Sequence, residues 1–122
     1  MLNNAALAYQ NNKINTSSPG ELTLMLFEGT IKFCNIALIG LEEGNINKSN
    51  NNIIKAEKII MHLRGTLDFK YAVAQDFENV YKYIYDSLIS ANINKDKEKL
   101  EEALSIIREM RDTWKDVIKL SK

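Results

Sequence analysis

Residues 15–29, NTSSPGELTLMLFEG, combine a helix start with the beginning of an unusually apolar helix. Ser18 can accept a hydrogen bond from the Glu21 backbone N–H, and Glu21 can reach back to the backbone N–H of Ser18. Pro19 suits the first helical position, because its missing N–H costs nothing there. The pattern therefore predicts that a helix begins at Ser18.

The residues after Ser18 predict that this helix continues to about residue 43. Large apolar side chains recur at alternating spacings of three and four, which is typical of a helix in a left-handed bundle. They are Leu24, Phe27, Ile31, Cys34, Leu38 and Leu41.

Three further stripes of the same period predict helices at about residues 49–67, 72–92 and 95–120. Their members are Ile53, Ala56, Ile60, Leu63 and Leu67 in the first, Val73, Phe77, Val80, Ile84, Leu88 and Ala91 in the next, and Leu100, Ala103, Ile107, Met110, Trp114 and Val117 in the last. Gly44 is placed to end the first helix, and Ser49 or a following Asn is placed to cap the second. Trp114 continues the last stripe, so we expect it to be mostly buried. Short connections make successive helices antiparallel. The sequence thus predicts an all-α, up-down-up-down four-helix bundle over residues 18–122.

Residues 1–17 differ in composition from the rest of the chain. Beyond Leu2, their large apolar side chains are Leu7, Tyr9 and Ile14, which are too sparse for an independently stable helix. We expect this stretch to be a flexible or docking segment that caps the bundle.

The composition excludes several classes of protein. The 122 residues suffice for one domain, and 16 basic and 16 acidic side chains cancel, which argues against a nucleic-acid partner. The longest apolar run, residues 36–41, is far shorter than the roughly 20 residues of a membrane span, so we expect no membrane insertion. One cysteine and an N-terminus unlike a secretory signal predict a cytosolic protein.

The residues that could support catalysis or bind a metal are few. His62 is the only histidine, and Glu57 precedes it by five positions, outside the same-face spacing of three or four. Cys34 belongs to the core stripe, which favours a buried thiol over a nucleophile. The glycines are scattered singly and form no phosphate-binding loop. We therefore predict no catalytic, metal or cofactor site and no enzymatic activity.

The first helix carries more apolar surface than one packed face requires. A second stripe comprises Leu22, Met25, Leu26, Gly29, Phe33, Ile36 and Gly40. One interpretation is that the helix touches neighbours on two sides; the other is that part of this surface, with the N-terminal segment over it, binds an apolar partner. Gly29 and Gly40 would then mark places where another backbone approaches closely.

Tyrosines 81, 83 and 85 span more than one helix face, so at least one ring should be exposed and available for contact. With the N-terminal segment and the second stripe, they complete the predicted partner-binding set. Its members are Leu7, Tyr9, Ile14, Leu22, Met25, Phe33, Tyr81 and Tyr85.

The opening stretch resembles that of the flagellin export chaperones, the FliS family, whose members carry Thr-x-Ser-Pro-x-x-Leu-x-x-Met-Leu-Tyr-x-Gly at the same place; Phe27 replaces the Tyr. Further weak matches follow in the family's order along almost the whole chain. They are Tyr9, Leu67-Asp68, Tyr81-Lys82-Tyr83-Ile84, Ala91-Asn92, Asp96, Leu100, Arg111 and Trp114. The chain departs from the family at residues 70–72, where many members have glycines.

The resemblance implies a cytoplasmic chaperone that binds the disordered C-terminal segment of flagellin. Such a chaperone prevents premature polymerisation and presents the subunit for type III export, and export-gate components or flagellar regulators are further partners that the resemblance implies. The alternative is a regulatory module of flagellar gene expression, which would bind an anti-sigma factor or a translational regulator.

Overall fold

Four helices make up most of the part of the chain, residues 19–120, that the computed structural model describes. Helix α1 spans Pro19–Glu43, α2 Ile46–Gly65, α3 Val73–Asn94 and α4 Lys97–Leu120. Helices α1 and α3 each pack along both α2 and α4, whereas the backbones of the diagonal pairs lie further apart within this range. The predicted all-α, up-down-up-down bundle is confirmed. The predicted Ser18 cap and the N-terminal capping segment lie outside the described residues.

The core combines side chains from all four helices. The predicted stripes supply most of it, and Thr30 and Ala37, which the stripe of α1 leaves out, are also fully buried. The core residues are Phe27, Ile31, Cys34, Ala37, Ile53, Ala56, Ile60, Leu63, Tyr81, Ile84, Leu88, Ala91, Leu100, Ala103, Leu104 and Ile107.

The turn between α1 and α2 is tighter than predicted. Gly44 adopts a positive φ of 71°, the Gly44 N–H donates to Leu41 O, and the Asn45 N–H donates to Gly40 O at 2.8 Å. This is the Schellman arrangement. The Asn45 side chain then accepts from the Lys48 N–H at 3.0 Å, so Asn45 caps α2. The prediction that Ser49 or a later Asn caps this helix is wrong, because the turn needs only residues 44–45 and Ser49 is buried.

The turn between α3 and α4 repeats this chemistry with different residues. Lys95 has a φ of 50°, and the Asp96 N–H donates to Ala91 O at 3.0 Å. Asp96 Oδ1 accepts from the Lys99 N–H at 3.1 Å, as Asn45 does in the other turn. Both turns lie at the same end of the bundle, which we call the closed end.

The remaining connection, residues 66–72, lies at the opposite end, which we call the open end. Phe69 and Tyr71 are 57% and 59% exposed, and the Lys70 N–H donates to Asp68 Oδ1 at 3.1 Å. Helix α2 ends at Gly65 and not at Leu67, because Thr66 forms the cap and donates its hydroxyl to Leu63 O at 2.7 Å.

Only one of the two glycines predicted to allow a close backbone approach does so. A Cβ at Gly40 would lie 2.8 Å from the backbone nitrogen of Ser49. At Gly29 the nearest atom is the Cδ1 of the Ile59 side chain, at 3.3 Å, so the prediction for Gly29 is wrong. Both contacts place the second stripe of α1 against α2.

Candidate partner-binding surface

An apolar groove runs along the seam between α3 and α4 and reaches the open end of the bundle. Its volume is about 390 Å³. We call it the α3/α4 groove. It is lined by Val73, Asp76, Phe77, Val80, Ile106, Glu109, Met110, Thr113, Trp114 and Val117.

Trp114 lines this groove, and its indole is also held in place by the start of α1. Its Nε1–H donates to Gly20 O at 2.7 Å. Its ring meets Phe27 and Phe77 edge to face, with centroids 6.4 and 6.3 Å away. Such pairs stabilise a fixed ring orientation. Trp114 packs against the core and is mostly buried, as predicted, and its remaining exposed side borders the groove.

The groove is bounded towards the closed end by a bridge between its two helices. The Tyr83 hydroxyl on α3 donates to the Glu102 carboxylate on α4. The Lys99 ammonium lies 5.6 Å from the centroid of the Tyr83 ring. At the other end, Val73 and Val117 are 54% and 45% exposed, so the groove is open there. The exposure of Val117 corrects its predicted place in the buried stripe of α4.

A second groove, of about 640 Å³, lies between the start of α1 and the end of α4. We call it the α1/α4 groove. Its apolar lining residues are Leu24, Met25 and Ile118, and its other lining residues are charged: Glu21, Asp112, Lys115, Asp116 and Lys119. It is larger than the α3/α4 groove and its lining is more polar.

The predicted site residues of α1 do not form one surface. Met25 lines the α1/α4 groove. Leu22, one helical turn earlier in α1, is partly buried. Phe33 instead packs against the core, and the ammonium groups of Lys32 and Lys55 lie 5.7 and 5.3 Å from its ring centroid. Helix α2 therefore covers part of the apolar surface that the sequence left open for a partner.

The predicted tyrosines are also separated. Tyr81 is 4% exposed and stacks on Phe77 at 6.1 Å, so it belongs to the core and is not available to a partner in this conformation. Tyr85 is partly buried, 5.7 Å from the guanidinium of Arg64. Tyr83 is 46% exposed, as expected for at least one ring of the cluster. Leu7, Tyr9 and Ile14 lie outside the described residues.

Sequence reasoning missed the α3/α4 groove because it assigned Val73, Val80 and Val117 to core stripes. The available signal was the change of phase near residue 68, where the apolar Phe69 and Tyr71 precede a weakly defined helix start at the apolar Val73. A helix that begins with apolar residues outside its core stripe exposes them.

Two buried titratable groups of the described residues have strongly raised pKa values. Burial raises the pKa of the Cys34 thiol to about 12, with Arg108 opposing, and burial raises the pKa of Tyr81 to about 12. Both groups are therefore protonated and unreactive at neutral pH. His62 is exposed, and within residues 19–120 no three His, Cys, Asp or Glu side chains group as metal ligands.

Helix α1 is the one helix of the described chain that is long and apolar enough to cross a membrane, judged by length and composition. The core helix of a soluble protein meets the same criterion. Phe27, Cys34 and Ala37 of α1 are buried inside the bundle, which fits a core helix.

The match to a family model extends over nearly the entire chain. The model for "Flagellar protein FliS" matches residues 1–121. The chain belongs to the FliS family. It is 38% identical to the flagellar secretion chaperone FliS of Bacillus subtilis over 117 residues, which cover 96% of this chain and 88% of the relative.

More distant members of the FliS family are also similar over most of this chain. The Campylobacter jejuni chaperone is 27% identical, over 96% of this chain and 94% of its own length. The Salmonella typhimurium chaperone is 28% identical, over 84% and 78%. Each is named a flagellar secretion chaperone. Family membership thus supports an export-chaperone role and points to a non-enzymatic protein.

Proposed function

We propose that this protein is a cytosolic chaperone that binds the disordered C-terminal segment of flagellin, prevents its premature polymerisation and assists type III flagellar export. The observation that carries this proposal is the α3/α4 groove, an apolar surface without charge on its floor, in a chain of the FliS family. Open apolar grooves between helices suit amphipathic helices of a partner.

The dimensions of the groove fit a short helical segment. From Ile106 to Val117 the wall formed by α4 is about 16 Å long, at about 1.5 Å per residue, which corresponds to three helical turns. A polymerisation segment that packs as apolar helices in a filament must expose that surface in the free subunit. A groove of this length can cover it without nucleotide or catalysis.

Apolar burial can supply the binding free energy. Each Val, Ile or Met that is fully covered gains about 1.5–3 kcal/mol relative to exposure. The exposed Val73 and Val117 and the partly buried Val80, Ile106 and Met110 offer several such gains. Ordering the flagellin segment costs a few kcal/mol, about 2–5 in coupled folding and binding. The free energy gained by covering these side chains can exceed this ordering cost, which leaves a favourable free energy of binding.

The direct test is the binding of flagellin with and without its C-terminal segment. We expect the full-length subunit to bind in isothermal titration calorimetry and its polymerisation from seeds to slow when the chaperone is added. Truncation at the C-terminus should abolish both effects. Equal binding of the truncated subunit would reject the proposed segment.

A pair of substitutions tests whether the α3/α4 groove takes part. Val73→Asn together with Val117→Asn should weaken flagellin binding about tenfold or more, because two apolar contacts are lost. Ile93→Asn is the control, since Ile93 is 76% exposed on α3 near the closed end. An equal effect of the control, or none of the double variant, would place the binding surface elsewhere.

We further propose that residues 1–15 act as a lid which flagellin displaces. The observation that supports this proposal is the hydrogen bond from Trp114 to Gly20 O, since Trp114 lines the α3/α4 groove and Glu21, next to Gly20, lines the α1/α4 groove. A competing occupant lowers apparent affinity by the fraction of time that a groove is open. Deleting residues 1–15 should therefore tighten binding of a flagellin C-terminal peptide.

The competing possibility is that Tyr9 contacts flagellin directly. Deletion would then weaken peptide binding without increasing the uptake of a hydrophobic dye. Circular dichroism must show that the truncated protein keeps its helices, since otherwise neither result is informative.

The second candidate function, a regulatory module for flagellar genes, is separated from the first by affinity capture. Recovery of flagellin as the dominant partner supports the chaperone. Recovery of an anti-sigma factor or a translational regulator in its place would support the regulatory module.

A further inference from the structure

The α3/α4 groove carries one acidic side chain on each wall. Asp76 lies on α3 and Glu109 on α4, and no Lys or Arg is among its described lining residues. Both carboxylates are exposed, and neither takes part in the ion pairs found within residues 19–120. The groove therefore offers a partner an apolar surface that is flanked on both sides by a carboxylate without an ion-pair partner.

The nearby bases on the same helices are directed elsewhere. The Arg111 guanidinium reaches across to Glu28 of α1 at 3.3 Å and also contacts Asp112 at 2.6 Å. Lys82 pairs with Asp86 at 2.7 Å. Arg108, next to Glu109, donates to Asn35 Oδ1 of α1 at 3.2 Å. None of these bases forms an ion pair with Asp76 or Glu109.

Lys99 is the base nearest to the bounded end of the groove. Its ammonium lies 3.9 Å from the Glu102 carboxylate and above the Tyr83 ring, so it belongs to the bridge. The acidic character of the groove walls is therefore preserved from this bridge to the open end.

The α1/α4 groove shows that this bias is a local property. Lys115 and Lys119 accompany Glu21, Asp112 and Asp116 along its lining, so both signs of charge are present. The whole chain has no net charge. The imbalance belongs to the α3/α4 groove and not to the molecule.

We propose that the α3/α4 groove selects a helical segment whose apolar face is bordered by Lys or Arg side chains. This inference rests on the proposed chaperone function and adds a chemical requirement on the bound segment. Burial of the apolar face supplies most of the affinity. The carboxylates of Asp76 and Glu109 discriminate by attracting basic borders and repelling acidic ones, since rim charges set specificity and association rate.

The test uses two synthetic peptides of about three to four helical turns with identical apolar faces. One carries Lys at both borders of that face and the other carries Glu. At low ionic strength the full-length protein should bind the Lys peptide about tenfold more tightly, because the two carboxylates attract the borders of one peptide and repel those of the other. Salt should reduce this preference.

A matched pair of double variants assigns the preference to the groove. Asp76→Asn with Glu109→Gln should reduce it to about twofold or less. Glu98→Gln with Glu101→Gln makes the same change in net charge and likewise includes one acid from the first turn of a helix, but lies towards the closed end. This control should keep the full preference. A loss of preference in the control would show that net charge or helix-terminal electrostatics, and not the groove, determines it.

The outcomes separate this inference from the proposed function. If flagellin binds but the peptides are bound equally, or if the preference survives in the Asp76/Glu109 variant, the charge requirement is wrong and the chaperone function stands. If flagellin does not bind but the Lys peptide does, the function is wrong and the groove chemistry stands. Binding of neither peptide, or self-association that the Asp76/Glu109 variant abolishes, overturns the inference, because the groove would then have another occupant.

Discussion

The closed and open ends of the bundle solve the same problem, reversal of the chain, in different ways. At the closed end, Gly44–Asn45 and Lys95–Asp96 each join two helices with a left-handed residue followed by a side-chain cap. At the open end, residues 66–72 form a longer connection with two large exposed rings. At the closed end, the Gly44, Asn45 and Asp96 N–H groups all donate to carbonyls of the preceding helix.

Side-chain contacts strengthen the same difference. At the closed end, α1 and α2 approach closely at Gly40 and Ser49, and the Asn92 side chain donates to Asn50 Oδ1 at 2.8 Å between α3 and α2. At the open end, both grooves begin and Trp114 links α4 to the start of α1. A bundle fixed at one end can keep apolar surface accessible at the other without losing its fold.

The largest effect should come from removing that link. Trp114→Ala removes an indole that packs on Phe27 and Phe77 and bonds to Gly20. Truncation of a buried aromatic costs about 3–5 kcal/mol; since one side of Trp114 remains exposed, we expect about 3 kcal/mol, measured by urea denaturation. Trp114→Phe keeps the ring and should lose only about 0.5–1.5 kcal/mol for the hydrogen bond. Equal losses would mean that ring packing contributes little at the open end.

The next largest effect should come from filling the close approach at the closed end. In Gly40→Ala the new Cβ would lie 2.8 Å from the Ser49 backbone nitrogen, which cannot move like a flexible side chain. Overpacking of this kind costs about 1–3 kcal/mol. The expected result is a lower urea midpoint and an unchanged far-ultraviolet spectrum.

Two other glycines provide the controls for Gly40. Gly29→Ala would meet only the end of the Ile59 side chain, at 3.3 Å, and should change the unfolding free energy little. Gly65→Ala meets nothing within 4 Å and should stabilise α2 by up to about 1 kcal/mol. If all three variants behaved alike, helix propensity and not the close approach would determine the result.

Much of the fold could be predicted from the sequence because each helix has a strong periodic pattern. Phe27, Ile60, Ile84 and Ile107 lie where their stripes place them. The turns were less predictable. Lys95 adopts the left-handed conformation that a glycine usually marks in a sequence, and Asn45 is one of several neighbouring asparagines that could cap α2.

The candidate site could be predicted only in part, because stripes on single helices do not show which surfaces meet. Tyr81 has the pattern of a contact residue but is covered by Phe27 and Phe77. Phe33 lies on a face that α2 approaches. The α3/α4 groove depends on how α3 and α4 are placed along their axes relative to each other. The spacing of residues within one helix does not determine this placement.

A smaller effect, of opposite sign, is expected where the two closed-end turns differ. Lys95 adopts the left-handed conformation that Gly44 adopts without strain, at a cost of about 1–2 kcal/mol for a residue with a side chain. Lys95→Gly removes this cost but also the Lys95 hydrogen bond to Asn92, so we expect a gain of about 1 kcal/mol in thermal or urea unfolding. The reciprocal variant Gly44→Ala, with open space around it, should lose a similar amount.

The smallest effect concerns a buried hydroxyl beside the Gly40 contact. Ser49 is fully buried, and within the described residues its Oγ has no hydrogen-bond partner. Ser49→Ala removes this unsatisfied group and adds a better helix former, so it should raise the unfolding free energy by up to about 1 kcal/mol. Ser87 is the comparison, because it is also buried but hydrogen-bonds to Tyr83. Ser87→Ala should destabilise by a similar amount, and a loss at both serines would show that the Ser49 hydroxyl does stabilise the closed end.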